Sequence, residues 1–209
     1  MNLRSNLFDK KMIIGILVLI PILVIVLVII GRNLIIPSNE DIINQLKNEK
    51  YYSSKVHYLF KNSKSQFEEN TTQYYSFDKG LRIEFLDGYK RVKVYKGGEI
   101  KVEKDGDEDY TLDKDIDKIY PLAFLQNILS NYQEGDAEEV KEEWGSGLYL
   151  KVNIDYKNMN KHLDKAELYI DKNKKVPVLL KILDDNNKER VIITYKDFKI
   201  EKTLSNDLF

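Results

Sequence analysis

The chain opens on an apolar block and afterwards changes its hydrophobic period several times. Met12 to Ile30 is a run of 19 residues without a charge, in which only Gly15 and Pro21 depart from strongly apolar side chains. At about 1.5 Å rise per residue, a helix of that length reaches about 28 Å, close to the hydrocarbon thickness of a bilayer. The run, marked by Met12, Ile16, Leu19, Pro21, Leu23, Leu27 and Ile30, predicts one transmembrane anchor over residues 12–31. Proline is tolerated in such helices. Arg4, Lys10 and Lys11 precede the run and only Arg32 closely follows it. The positive-inside rule then places residues 1–11 in the cytoplasm and the rest of the chain outside. A cleaved signal peptide fits less well, because the run exceeds the usual apolar core and Asn33-Leu34-Ile35-Ile36 offers no small-residue cleavage site.

Residues 32–37 read as a linker, and 38–209 as one extracytoplasmic domain. Ser38 can cap a helix, with Asp41 three residues on and Ile42, Ile43 and Leu46 on one face up to about Glu49. After Tyr51 the period falls to two. Val56, Tyr58 and Phe60 begin the pattern, and Tyr75 and Phe77 end a second strand. Leu81-Ile83-Phe85, Val92-Val94 and Ile100-Val102 continue it. Asp87-Gly88, Gly97-Gly98 and Asp105-Gly106 separate these runs as tight turns. A helix is expected from Pro121 to Tyr132, with Leu122, Leu125, Ile128 and Leu129 on one face, ended by Gly135. Alternation then resumes through Leu148–Ile154, Ala166–Ile170, Val176–Leu183 and Val191–Tyr195, and Phe198 and Ile200 close the sheet. The expectation is an α+β, mainly β fold: nine or ten strands in one curved antiparallel sheet, its apolar face covered by two helices.

Charge and composition narrow the function. The chain has no cysteine, which excludes disulfides, thiolate metal sites and a cysteine nucleophile. Residues 33–209 carry 29 basic and 33 acidic side chains, a net −4, which gives no general attraction to nucleic acid. His57 and His162 stand apart, without ligand spacing. The acidic stretch Asp105, Asp107, Glu108, Asp109, Asp113, Asp115 and Asp117 fails the calcium-loop pattern in two registers. Counted from Asp105 the glycine and closing-glutamate positions hold Tyr110 and Ile116; counted from Asp113 they hold Lys118 and Phe124. Gly145-Ser146-Gly147 lacks the full nucleophile-elbow pattern and reads as a turn. Tyr89 to Lys96 interleaves basic and aromatic residues, which period-two alternation explains as an exposed strand face. No cofactor, metal or catalytic set is expected, and the chain reads as a non-enzyme.

The C-terminal third carries a resemblance. Ala166-Glu167-Leu168-Tyr169-Ile170-Asp171 leads to Val176-Pro177-Val178-Leu179-Leu180-Lys181-Ile182. The turn Asp184–Asn187 follows, then Thr194-Tyr195-Lys196-Asp197-Phe198-Lys199-Ile200, with Phe209 last. This rhythm, with Leu81-Arg82-Ile83-Glu84-Phe85 earlier, resembles the LolA-like superfamily of extracytoplasmic proteins, and within it the GerS spore-germination group. The resemblance implies a half-open β-barrel over helices and a non-catalytic role as partner of a cortex-processing amidase. Relatives that carry lipid imply a lipid-binding alternative that uses the concave face. Phe85, Leu150 and Leu168 are the candidate ligand or partner contacts on that face. GerS proteins are tethered through a lipidated cysteine, and this chain has none. The apolar run would take over that tethering.

Overall fold

Ser38 starts its helix as a cap should. Its hydroxyl accepts the Asp41 amide at 3.1 Å, and its own amide donates to the Asp41 carboxylate at 2.9 Å. The helix is α1 (Asn39–Asn48), and it buries Ile42, Ile43 and Leu46. The computed structural model describes residues 17, 19–29, 31, 37–62, 64–88, 90–160 and 163–209. It divides into residues 1–41 and 42–209. In the first unit residues 19–29 are helical, and their large apolar side chains are 46% to 63% exposed. Met12, Ile16 and Ile30 of the expected anchor, and residues 32–36 of the expected linker, lie outside the described residues. Among the described residues no helix is long and apolar enough to cross a membrane.

In the second unit short turns join β1 (Tyr51–Lys61), β2 (Gln66–Ser76), β3 (Gly80–Phe85), β4 (Arg91–Lys96), β5 (Glu99–Lys104) and β6 (Tyr110–Asp113). A connection follows that holds the 3-10 turns Lys114–Ile116 and Tyr120–Ala123 and the helix α2 (Leu125–Leu129). Then come β7 (Ala137–Val140), β8 (Tyr149–Asn160), β9 (Leu163–Asp171), β10 (Val176–Leu183) and β11 (Glu189–Ile200). The sheet order is β6-β5-β4-β3-β2-β1-β11-β10-β9-β8-β7, with every described pairing antiparallel. Each arm is a meander, and the first and last strands meet in the middle. This is the single antiparallel sheet that the alternating pattern predicts.

Three details differ from the sequence reading. The described residues form eleven strands, because β6 and β7 are four-residue edge strands with too little apolar alternation to signal themselves. The second helix is only five residues long. Phe124 takes an extended conformation (φ −84°, ψ 130°) that separates the 3-10 turn around Pro121 from α2. The β2 strand stops at Ser76, and Phe77 is exposed.

Opposed residues of an antiparallel pair share a face. The register therefore puts Val56, Tyr58, Phe85, Leu150, Leu168, Leu180 and Ile193 on one side of the sheet. These join Ile42, Ile43, Leu46, Leu122, Phe124, Leu125, Ile128 and Leu129 in one core. The short α2 connection thus takes the place expected of a full helix. Its side chains fill the face from two short pieces, and Tyr52 and Tyr195 hold them in place. The Leu125 amide donates to the Tyr52 hydroxyl at 3.0 Å, and the Tyr195 hydroxyl donates to the Ala123 carbonyl at 2.7 Å.

Candidate functional site

The concave face does not stay apolar along β4. Phe85 lies opposite Arg91, and Ile83 opposite Lys93, so these two cations sit on the inward side rather than on the exposed face that alternation suggested. Each finds a carboxylate and a ring. The Arg91 Nη2 donates to Glu69 at 2.9 Å, and its guanidinium lies 3.7 Å from the Phe85 ring centre. The Lys93 Nζ donates to Asp117 at 2.5 Å and stands 4.7 Å from the Tyr120 ring centre. The Tyr95 hydroxyl donates to the same Asp117 oxygen at 2.7 Å, and the Tyr120 hydroxyl donates to Glu69. Burial, with the Asp117 carboxylate beside it, pushes the Tyr95 hydroxyl far up, so it stays protonated. The side chains of Lys93 and Asp117 are 14% and 9% exposed, so screening by water is slight. Asp117 and Tyr120 therefore fasten the connection after β6 to the sheet.

That connection forms one wall of an open cavity of about 830 Å³. The other walls come from the end of β1 and the starts of β2, β9 and β11. Phe60, Phe67, Ile119, Tyr120, Leu163 and Val191 supply the apolar lining. The rings form a stack. Phe67 lies on Phe60 with centroids 4.4 Å apart, and Phe60 on Tyr58 at 5.7 Å. Tyr120 meets Tyr58, Phe60 and Phe85 edge-on at 5.1, 5.8 and 5.2 Å. Aromatic pairs of this kind add about 0.5–1.5 kcal/mol each beyond their buried area, so the walls are stiff. Beneath them the Tyr58 hydroxyl accepts from Gln73 at 2.5 Å and donates to the Tyr120 carbonyl at 3.2 Å. Phe67 and Ile116 at the mouth are 53% and 67% exposed.

The rim is charged. Lys61 donates to Glu189 at 2.7 Å, and that bond holds the Glu189 carboxyl below its ordinary value. Asp184 accepts from the Lys188 amide and from Arg190 Nε, at 2.9 and 2.8 Å. The Lys188 amide first, then Arg190 among others, keep its carboxyl low.

The residues singled out from the sequence fall elsewhere. Phe85, Leu150 and Leu168 do line the concave face, but they are 5%, 0% and 0% exposed within the packed core, and none borders the cavity. Phe85 is on β3, far along the sheet from Leu150 and Leu168 on β8 and β9. His57 Nε2 lies 3.1 Å from Glu68, and His162 is outside the described residues. The acidic stretch is parcelled out: Asp107 pairs with Lys104, Asp109 with Lys101, and Asp117 with Lys93. Among the described residues no group of three or more His, Asp or Glu side chains converges as a metal would need. The Gly145-Ser146-Gly147 segment wraps the Tyr149 ring, where a Cβ at Gly145 would collide with the phenol. Sequence reasoning missed the cavity residues. The available signal was Phe67, an aromatic in the polar run Gln66-Phe67-Glu68-Glu69, paired with Phe60 across the hairpin.

A family model described as "Sporulation protein YdcC-like" matches residues 9–209. No curated protein matches the sequence. Among solved structures, the chain is similar to a conserved protein of Thermus thermophilus, at 15% identity and a TM-score of 0.52, over 82% of this chain and 93% of that one. It is also similar to a chain of the CwlD amidase complex with the GerS lipoprotein from Clostridioides difficile, at 21% identity and a TM-score of 0.48, over 79% and 97%. A LolA superfamily protein from Nitrosomonas europaea matches at 8% identity and a TM-score of 0.42, over 83% and 98%.

Proposed function

The chain belongs to the YdcC-like sporulation proteins, and from that premise we propose that it is a membrane-tethered, non-catalytic protein that binds an envelope or spore-cortex partner outside the cell. The observation that carries this reading is the open, aromatic-walled cavity at one end of the sheet. Stiff walls and half-exposed Phe67 and Ile116 suit binding and offer no nucleophile paired with a base. The GerS-like sequence rhythm supports a cortex-processing amidase as the class of partner. Tethering rests on the charge-free run from Met12 to Ile30 and on the basic residues before it.

The test is co-purification from membranes of a spore-forming host, solubilised in mild detergent. The expected result is that the chain floats with membranes before detergent and brings one stoichiometric protein partner after it. Recovery of the full-length chain from the soluble extract contradicts the tether, and recovery of the chain alone contradicts the partner.

The cavity's volume and apolar lining also favour a second reading, a lipid-binding or lipid-sensing module. Native mass spectrometry of the purified chain should then show a bound lipid mass that disappears on Phe60→Asp.

A further inference from the structure

Charge is unevenly spread around the cavity. Among the described residues, Lys61, Lys64, Lys118, Lys188 and Arg190 border it and the adjoining cleft between the β1–β2 and β10–β11 turns, against Asp117 and Glu189. Residues 33–209 as a whole are net negative. Asp117 is taken by Lys93 and Tyr95, Glu189 by Lys61 and Lys181, and Arg190 is held by Asp184. Among the described residues no carboxylate lies within ion-pair distance of Lys64 or Lys188. Lys118 has only Asp115, at 4.0 Å between exposed side chains. Two cations without a carboxylate partner among the described residues, Lys64 and Lys188, and a third, Lys118, with only a long exposed pair, thus stand beside two exposed apolar side chains, Phe67 and Ile116.

A ligand that satisfies both features has an apolar part for the rings and negative charge next to it. A broad anionic surface fits poorly. The turn holding Asp105, Asp107, Glu108 and Asp109 is at the same end of the sheet, four strand spacings from the β1–β2 turn. That is about 19 Å at about 4.8 Å per strand, beyond a Debye length of about 8 Å. A flat bilayer reaching the lysines would meet these acids too, whereas a short chain segment can reach the lysines without meeting that turn.

We propose that the cavity is a docking site for an acidic peptide segment of a partner protein. An aromatic or aliphatic side chain would seat against Phe60, Phe67 and Tyr120, and flanking carboxylates would pair with Lys64, Lys118 and Lys188. This rests on the partner-binding reading above and names the chemistry of what is bound.

The experiment uses the full-length protein in detergent and three short fluorescein-labelled peptides. One is rich in Asp and Glu around a Phe-Leu pair, one has Ala in place of that pair, and one has Lys in place of the acids. Lysophosphatidylglycerol is the competing probe. The expected result is tightest binding of the first peptide, weakened by salt. It should weaken at least about tenfold, or about 1.4 kcal/mol, for Phe67→Ser and for Lys64→Glu combined with Lys188→Glu. These positions are at the surface, and an unchanged unfolding midpoint confirms that the variants fold. Equal binding of the three peptides, indifference to both variants, or binding of lysophosphatidylglycerol without the acidic peptide overturns the inference. A partner recovered from membranes whose binding ignores these substitutions also overturns it, while leaving partner binding to another face of the sheet.

Discussion

Tyr58 and Tyr156 are both buried tyrosines of the concave face, and their hydroxyls have opposite circumstances. The Tyr58 hydroxyl accepts from Gln73 and donates to the Tyr120 carbonyl, whereas the Tyr156 hydroxyl is buried with no hydrogen-bond partner among the described residues. A buried group that is already unpaired loses nothing when its oxygen is removed, but removing one member of a network strands the others. Tyr156→Phe should therefore leave stability unchanged or raise it, and Tyr58→Phe should lower it by about 1–3 kcal/mol. Urea unfolding of the two variants checks this, and equal losses would contradict the hydrogen bonding described. The rim carboxylates set a pH dependence. Asp184 and Glu189 have folded pKa values below their ordinary ones. Their contribution is present above the unfolded values and is lost as pH falls through the folded ones. The β10–β11 turn should loosen as pH drops below the ordinary carboxylate range, about 4. Amide exchange of residues 184–190 followed against pH reads this directly, and loosening on alkalinisation instead would contradict the sign.

The connection between β6 and β7 is the element on which the site depends. Tyr52, Tyr195 and the core hold its second half, and its first half, up to residue 120, is held by Asp117 and Tyr120 gripping Lys93, Tyr95 and Glu69. Asp117→Asn leaves the Lys93 ammonium without its carboxylate in a poorly hydrated place. It should cost about 3–5 kcal/mol and raise amide exchange in residues 114–120 before the rest of the sheet. Exchange that rises uniformly would mean that the connection is held by packing alone. How legible these elements were in the sequence follows the same division. Strands β1, β3, β5 and β8 to β11 announce themselves because one phase is apolar, and Ser38 with Asp41 announces α1. On β4 the alternation was visible but its sense was not, because Arg91 and Lys93 turn inward only where Glu69 and Asp117 wait on distant segments. A one-dimensional pattern cannot supply those partners. The cavity escaped for the same reason: its walls come from β1, β2, β9, β11 and the connection, and no local spacing gathers Phe60, Phe67, Tyr120 and Leu163.

At the scale of the whole molecule, the first and last strands of the sheet pair at its centre, and the turns at one end of each arm surround a stiff, open mouth. On the reading proposed above, the protein works by what it holds at that mouth and by where it is held. Both parts of the account are open to one experiment in living cells. A photo-crosslinking p-benzoyl-phenylalanine in place of Phe67, at the mouth, is compared with the same group in place of Tyr110, on the edge strand β6. Both chains are expressed in a sporulating host, irradiated, and fractionated into membrane and soluble extract. The account expects a membrane-bound cross-link from position 67 to one protein, with none from position 110. A cross-link to lipid alone, an identical pattern from both positions, or a chain found only in the soluble extract would contradict it.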